Sequence, residues 1–133
     1  MDIVNKIVSR RALSPVVVTD NTAQVCQIID RSTYDSLMFV IATGTLADAD
    51  ATFAVTVDHG DAANLSDAVA VPAAELNGTL AGTSFTFTND DTTREIGYAG
   101  VKRYVRLTIT PSANTGNAPL AVVAILADGK KQP

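Results

Sequence analysis

Apolar and polar residues alternate along several short segments of this 133-residue chain. The clearest segments are residues 52–58, 83–88 and 101–110, in which an apolar side chain recurs at every second position with few exceptions. Such alternation is typical of antiparallel strands that have one face in the core and the other in water. Turn residues separate the segments at short intervals, and no long stretch has the period of a helix. The pattern therefore predicts an all-β fold, an antiparallel β-sandwich of jelly-roll or Greek-key type with about eight strands.

One segment is apolar without interruption. Residues 37–42 have the sequence Leu-Met-Phe-Val-Ile-Ala and are bounded by polar residues. An apolar run of this length is typical of a central strand that is buried on both faces. The sequence therefore predicts a strand in the middle of a sheet, with both of its faces removed from water.

The first residues of the chain have apolar side chains at a spacing of four. These residues are Ile3, Val4, Ile7 and Val8. Side chains at this spacing lie on one face of a helix, and a helix this short needs a partner surface to be stable. The same segment is basic, through Lys6, Arg10 and Arg11. We therefore expect a short N-terminal arm that packs either on its own sandwich or on a neighbouring subunit.

The chain length and composition predict one domain beyond this arm. Pro15 ends the arm because proline interrupts a helix. The expected division is an arm at residues 1–14, a β-sandwich domain at 15–128 and a polar tail at 129–133. A chain of this length is typical of a single domain, since most domains have about 100–150 residues. Hydrophobic residues make up 47% of the chain and can supply a core.

Charge is distributed unevenly within a net charge of −4. Between Arg31 and Arg94 the chain has nine acidic residues and no Lys or Arg. One interpretation places these acids in exposed turns. Another is an acidic outer surface opposed to a basic docking surface, which would orient the protein on an acidic partner. An acidic chain is poorly suited to bind nucleic acid, so we expect no nucleic-acid partner. No apolar run reaches the roughly 18 residues of a membrane span, so we expect no insertion into a membrane.

Candidate catalytic and metal-binding residues are few, because the chain has one His and one Cys. The segment 58–61, Asp-His-Gly-Asp, is predicted to be an exposed turn that holds its side chains apart. Asp48 and Asp50 lack the further oxygen ligands of a calcium loop. Cys26 lies in an apolar segment and is predicted to be a small buried residue. We therefore expect no enzymatic activity, no metal and no cofactor.

A basic strip begins the last alternating segment. It consists of Lys102, Arg103, Tyr104 and Arg106. The alternation places Val101 on the inward face, and Arg103 lies on the same face near its beginning. Lys102, Tyr104 and Arg106 lie on the outward face. Basic side chains protect an edge strand from pairing with other chains. The same residues would also serve as a docking strip for acidic groups of a partner. The sequence leaves both interpretations open.

Three segments resemble the small structural proteins that tailed bacteriophages and prophages encode among their capsid genes. The segments are residues 36–44, 53–61 and 96–108, and the resemblance extends over residues 12–127. In the third segment a Gly-Tyr pair leads into Lys-Arg-Tyr-Val-Arg, which is typical of these proteins. The resemblance implies a capsid decoration protein, also called a cement protein.

This resemblance also implies a partner and a location. Decoration proteins bind the exterior of an icosahedral shell, so the implied location is the virion surface. The implied partners are the major capsid protein and further copies of this chain, as a homodimer or homotrimer. No catalytic residues carry over. The candidate partner-binding residues are those of the arm and the basic strip: Ile3, Val4, Ile7, Val8, Arg10, Arg11, Lys102, Tyr104 and Arg106.

Two other functions are alternatives to capsid decoration. One is a head–tail connector or tail protein of a phage, which would occur in few copies per particle. The other is a carbohydrate-binding β-sandwich, whose sites usually stack aromatic rings on sugars. This chain has no Trp and three Tyr, which makes it poorly supplied for such a site.

Overall fold

The computed structural model describes residues 2–129. Within these residues the chain forms eleven β-strands and four single helical turns. The strands are β1 (Ile7–Val18), β2 (Gln24–Val25), β3 (Ile29–Asp30), β4 (Tyr34–Thr43), β5 (Thr52–Gly60), β6 (Val69–Ala70), β7 (Leu76–Asn77), β8 (Phe85–Thr86), β9 (Thr93–Tyr98), β10 (Tyr104–Ser112) and β11 (Ala118–Gly129). The helical turns are α1 (Leu80–Thr83) and the 3-10 turns Ile3–Asn5, Ala73–Glu75 and Phe87–Asn89.

The strands form two antiparallel sheets, which we call the front sheet and the back sheet. The front sheet has the order β1-β11-β4-β9-β7, and the back sheet has the order β2-β10-β5-β6. In the back sheet β3 also pairs with β10, and β8 with β5. If β2 and β3 are counted as one strand, β6 and β8 as another, and the two-residue edge strand β7 is left out, eight strands remain, and their order is 1-8-3-6 in the front sheet and 2-7-4-5 in the back sheet. This is the order of a jelly roll, so the predicted fold class is confirmed.

The core lies between the two sheets and contains the inward-facing residues of the long strands. Val105, Leu107 and Ile109 on β10 have no exposed surface, as the alternation predicts. Phe39 and Ile41 on β4 are at most 1% exposed. Burial of each such side chain stabilises the fold by about 1.5–3 kcal/mol. The two sheets are therefore held together mainly by these side chains.

Val101 departs from the prediction, because 85% of its surface is exposed. The strand β10 begins only at Tyr104, and Val101 lies in the loop that follows β9. In the same loop Arg103 donates two hydrogen bonds to the Asp30 carboxylate, each 3.0 Å long. The inward face of the strand therefore starts at Val105 rather than at Val101.

The N-terminal residues form a strand rather than the predicted helix. The pairing of β1 with β11 starts with Ile7 opposite Ala127, and helical structure is confined to the turn Ile3–Asn5. β-Branched residues favour strands, and pairing with β11 supplies the hydrogen bonds that stabilise this segment. Pro15 lies inside β1 at an irregularity of the register, on the edge of the sheet, where proline is tolerated.

The boundaries of the predicted arm and tail fall inside strands. Residues 7–14 of the predicted arm are part of β1, and Gly129 is the last residue of β11. Residues 130–133 of the predicted tail lie outside the described part of the chain. Removing residues 7–11 would therefore expose the hydrogen-bonding edge of β11, so the arm cannot be deleted as a unit without damage to the front sheet.

Candidate functional site

The outer face of the front sheet is apolar over its two central strands. Alternate residues of β4 and β11 are buried in the core, so the residues between them face outward. The register places outward residues of the two strands side by side, with Met38 opposite Ile125 and Val40 opposite Val123. We call this surface the apolar face. Its residues are Met38, Val40, Ala42, Ala121, Val123, Ile125 and Ala127.

No element within residues 2–129 covers the apolar face. Val123, near its centre, keeps 39% of its surface exposed, and Ala42 is also exposed. The uninterrupted run 37–42 predicts burial on both faces of the strand, and this prediction is wrong for one face of the isolated chain. Large exposed apolar patches on soluble proteins usually mark sites of interaction. The apolar face therefore has the composition of a surface that a partner covers.

Two shallow depressions lie on this face, one toward each end of the strands. The first has a volume of about 350 Å³ and lies among Val17, Ala42 and Gly44. The second has a volume of about 420 Å³ and lies between Met38 and Ile125. Small side chains beside larger ones produce this relief, and side chains of a partner can fill it.

The outer face of the back sheet is polar. There Thr56 lies opposite Thr108, and Asp58 lies opposite Arg106. Threonines and paired charges are typical of a sheet face in contact with water. The two outer faces of the sandwich therefore differ, and the apolar face is not a general property of the chain.

No family model matches this sequence, and no curated protein matches it. Among solved structures the chain is similar to the SPBc2 prophage-derived protein YomS, with 8% identity, a TM-score of 0.45 and coverage of 92% of this chain and 93% of that chain. It is also similar to the CBM22-1–GH10 modules of Clostridium thermocellum xylanase 10B complexed with xylohexaose, with 10% identity, a TM-score of 0.47 and coverage of 96% of this chain and 27% of that chain. The C-terminal family 22 carbohydrate-binding module of the same xylanase has 8% identity and a TM-score of 0.42, over 96% of this chain and 87% of that chain. At these identities no residue's role is transferred.

The predicted arm residues lie at three different places in the structure. Ile3 and Val4 lie in the first 3-10 turn and are 67% and 79% exposed. Ile7 borders the second depression of the apolar face. Arg11 lies beside Val123, and thus at the margin of the same face. The other two arm residues lie on the opposite side of β1: Val8 pairs with buried Leu126, and Arg10 pairs with buried Ala124.

The basic strip does not lie on an edge strand, so that interpretation is wrong. β10 has β5 on one side and β2 and β3 on the other. Lys102 forms an ion pair with Asp61 at 3.1 Å, and the Arg103 guanidinium lies 5.0 Å from the centre of the Tyr104 ring. Arg106 lies opposite Asp58 across the pair of strands. Acidic residues of the chain itself therefore accompany much of the strip.

The predicted exposed turn at residues 58–61 is wrong for His59 and Gly60, which end β5, whereas Asp58 lies in β5 as the alternation of residues 52–58 predicts. His59 is only 4% exposed, and its Nδ1 lies 2.6 Å from the Tyr98 hydroxyl. That hydroxyl accepts a hydrogen bond from the Lys102 backbone N–H at 3.0 Å. Burial raises the pKa of Tyr98, because it disfavours the charged phenolate. Neither the period of two nor a local motif connects His59 with Tyr98, so sequence reasoning missed this pair.

Arg31 joins the same region by donating hydrogen bonds to backbone carbonyl groups. Its Nε and Nη2 lie 2.7 Å from the carbonyl oxygens of Lys102 and Gly100, and its Nη1 lies 3.1 Å from that of Tyr34. Its guanidinium also lies 5.1 Å from the centre of the Tyr98 ring. These contacts hold the loop after β9 against the start of β4. We call this part of the molecule the Val101 end of the sandwich.

The opposite end is formed by loops that carry only acidic charges. These loops contain Asp20, Asp48, Asp50, Asp90 and Asp91, and no Lys, Arg or His. Asp48 accepts hydrogen bonds from the Thr115 N–H at 2.8 Å and from the Asp50 N–H at 2.9 Å. These bonds lower the pKa of the Asp48 carboxyl group, since they stabilise its charged form. Asp48 therefore joins two loops of the sandwich.

The remaining candidate features of residues 2–129 are metal ligands, a reactive thiol and a membrane-spanning helix. Among residues 2–129 no group of three His, Cys, Asp or Glu side chains is placed to hold a metal ion. Burial raises the pKa of the Cys26 thiol to about 12, so its thiolate is disfavoured. No helix in this part of the chain is long and apolar enough to span a membrane.

Proposed function

We propose that this protein is a structural, non-enzymatic component of a bacteriophage virion. In this proposal it decorates the outer surface of the icosahedral capsid and stabilises it by bridging subunits of the major capsid protein. The observation that carries the proposal is the apolar face, an uncovered sheet surface whose natural complement is another protein surface. The capsid setting rests on the sequence resemblance of residues 36–44, 53–61 and 96–108.

The shape of the protein suits such a role. Its long strands pack into a stiff two-layered body, and a rigid body loses little conformational entropy when it binds. On a particle many copies act together, so each contact can be weak. A protein that binds only the assembled lattice stabilises that lattice by mass action.

The Val101 end carries the further contacts that we assign to the shell. Ile3 and Val4 precede β1 at this end, and Val101 lies in a loop at the same end. All three are large apolar residues that are at least 67% exposed. The loops at the opposite end carry only acidic charges, whereas the Val101 end carries charges of both signs, and two of its acids, Asp61 and Asp30, form ion pairs with Lys102 and Arg103. We therefore place the Val101 end toward the capsid and the acidic loops toward the solvent.

Replacing both Ile3 and Val4 by Asp should reduce attachment to capsids by about tenfold or more. Burial of one such side chain contributes about 1.5–3 kcal/mol, and a factor of ten corresponds to about 1.4 kcal/mol. The measurement is co-sedimentation of the purified protein with particles that lack it. Both residues are exposed in the free protein, so the variant should keep its circular dichroism spectrum and its unfolding midpoint.

The matched control is Val25→Asp, on β2 of the back sheet. Val25 is 54% exposed in the free protein and lies opposite Thr108, at the middle of β10 and outside the Val101 end. This control should attach like the unmodified chain. Equal attachment of the Ile3/Val4 variant and the control would contradict the assignment of the Val101 end to the shell.

A further inference from the structure

A single row of residues crosses the apolar face from one side to the other. Arg11 on β1 lies opposite Val123 on β11, Val123 lies opposite Val40 on β4, and Val40 lies opposite Glu95 on β9. Residues that are directly opposite in antiparallel strands point to the same side of a sheet. The apolar centre of the face is therefore flanked by a positive charge on one side and a negative charge on the other.

Neither charge forms an ion pair within residues 2–129. Arg11 and Glu95 are both exposed. The ion pairs formed within residues 2–129 are Lys102–Asp61 and Arg103–Asp30, and neither includes Arg11 or Glu95. The two side chains stand on opposite sides of β11 and β4, so they cannot reach each other within one chain.

We propose that a second copy of this chain covers the apolar face and forms a two-fold symmetric dimer. The inference rests on the proposed function, because it names the partner of the protein-binding face. The two-fold axis runs parallel to the strands, between β11 and β4. It places β1 of each copy over β9 of the other, so Arg11 of each copy meets Glu95 of the second copy. Val40 and Val123 of one copy then pack on Val123 and Val40 of the other.

The charges select this arrangement over the other face-to-face dimer. A two-fold axis that runs across the strands would place β1 over β1 and β9 over β9. Arg11 would then approach Arg11, and Glu95 would approach Glu95, and such like-charge contacts are unfavourable. With the axis along the strands, both flanks of the interface form attractive pairs. The row of four residues is thus complementary to itself in one orientation.

The size of the face is sufficient for such a dimer. Four strands with a spacing of about 4.8 Å, and eight residues with a rise of about 3.4 Å, span roughly 500 Å². Two copies therefore bury on the order of 1,000 Å², which is the lower limit of a specific interface. Sheets that pack face to face are common in proteins, with a separation of about 10 Å. We expect a dissociation constant in the micromolar range, because the interface is at this lower limit.

The test is sedimentation equilibrium of the full chain with charge-reversal variants. Arg11→Glu and Glu95→Arg should each raise the dimer dissociation constant by tenfold or more, because each replaces two attractive contacts by two repulsive ones. The double variant should dimerise like the unmodified chain. An equimolar mixture of the two single variants should form heterodimers, because each supplies the charge that the other needs.

Thr110→Glu is the matched control, since Thr110 is an exposed residue of β10 in the back sheet. This control should not change the dissociation constant. Circular dichroism verifies that every variant keeps its β-fold. If neither the double variant nor the mixture recovers dimers, the proposed orientation is wrong.

The same variants distinguish failure of the dimer from failure of the capsid role. If the unmodified chain is monomeric and Arg11→Glu loses capsid attachment, the face binds the shell, and the dimer inference is overturned while the proposed function stands. If the dimer forms with the expected charge pattern but no variant of the chain attaches to capsids, the inference stands and the proposed function fails. A monomer whose attachment is unaffected by either reversal overturns the inference and the assignment of this face.

Discussion

Replacing Phe39 by Ala should lower the free energy of unfolding by about 3–5 kcal/mol. Phe39 is 1% exposed and lies on β4, between Ala124 of β11 and Ile96 of β9. The substitution removes a large apolar side chain from the centre of the core and leaves a cavity that the rigid sheets cannot close. Domains of this kind have a total stability of about 5–15 kcal/mol, so the loss is a large part of it. Chemical denaturation with urea measures the effect.

The matched control is Val40→Ala, at the next position of the same strand. Val40 faces outward, so its truncation should cost about 1 kcal/mol or less when measured on dilute, monomeric protein. A similar loss of stability in both variants would mean that both faces of β4 are covered within one chain. That result would contradict the description of the apolar face as an uncovered surface.

Replacing Tyr98 by Phe should lower the free energy of unfolding by about 1–3 kcal/mol. The substitution removes only the hydroxyl group, which lies 2.6 Å from Nδ1 of His59 and accepts a hydrogen bond from the Lys102 N–H. His59 is buried, so its ring nitrogen loses a partner that water cannot easily replace. Thermal and urea unfolding measure the loss, and NMR signals of the His59 ring should shift.

Tyr104→Phe provides the control for this effect. The Tyr104 ring is half-buried beneath the Arg103 guanidinium, and within residues 2–129 its hydroxyl forms no hydrogen bond. Its removal should change stability by no more than about 0.5 kcal/mol. Equal stability of the Tyr98 and Tyr104 variants would show that the hydroxyl near His59 makes no net contribution to the fold.

The long strands of the back sheet could be predicted from sequence because one face of each lies in the core and the other in water. In β5 and β10 this environment produces the period of two directly, and the buried residues Val57 and Leu107 follow it. The short strands could not be predicted in this way. Strands of two residues such as β3 and β7 contain a single apolar–polar pair, which is too short to establish a period.

The N-terminal segment shows a limit of periodicity arguments. A spacing of four fits both a helix and a strand, because residues i and i+4 lie on the same face of either structure, and the pairs Ile3/Ile7 and Val4/Val8 have this spacing. Pairing with β11, more than one hundred residues away in sequence, decides between the two structures. Tertiary contacts of this kind override local preference, and a single sequence does not display them.

The apolar face was only partly visible in the sequence. The uninterrupted run 37–42 indicates that both faces of a strand avoid water, and the structure identifies which face the sandwich leaves uncovered. The flanking charges Arg11 and Glu95 could not be connected from sequence, because their relation depends on the register of four strands. For the same reason the contact between His59 and Tyr98 required the three-dimensional fold.

The most direct test of the central proposal is the location of this chain in a cryo-electron microscopy map of a particle that contains it. The proposal predicts jelly-roll density on the exterior of the icosahedral shell, in many copies that bridge capsid subunits, with the acidic loops toward the solvent. The contrary result is density at the neck or tail in a few copies, or purified particles that lack the chain altogether. Either finding would rule out capsid decoration as the function of this protein.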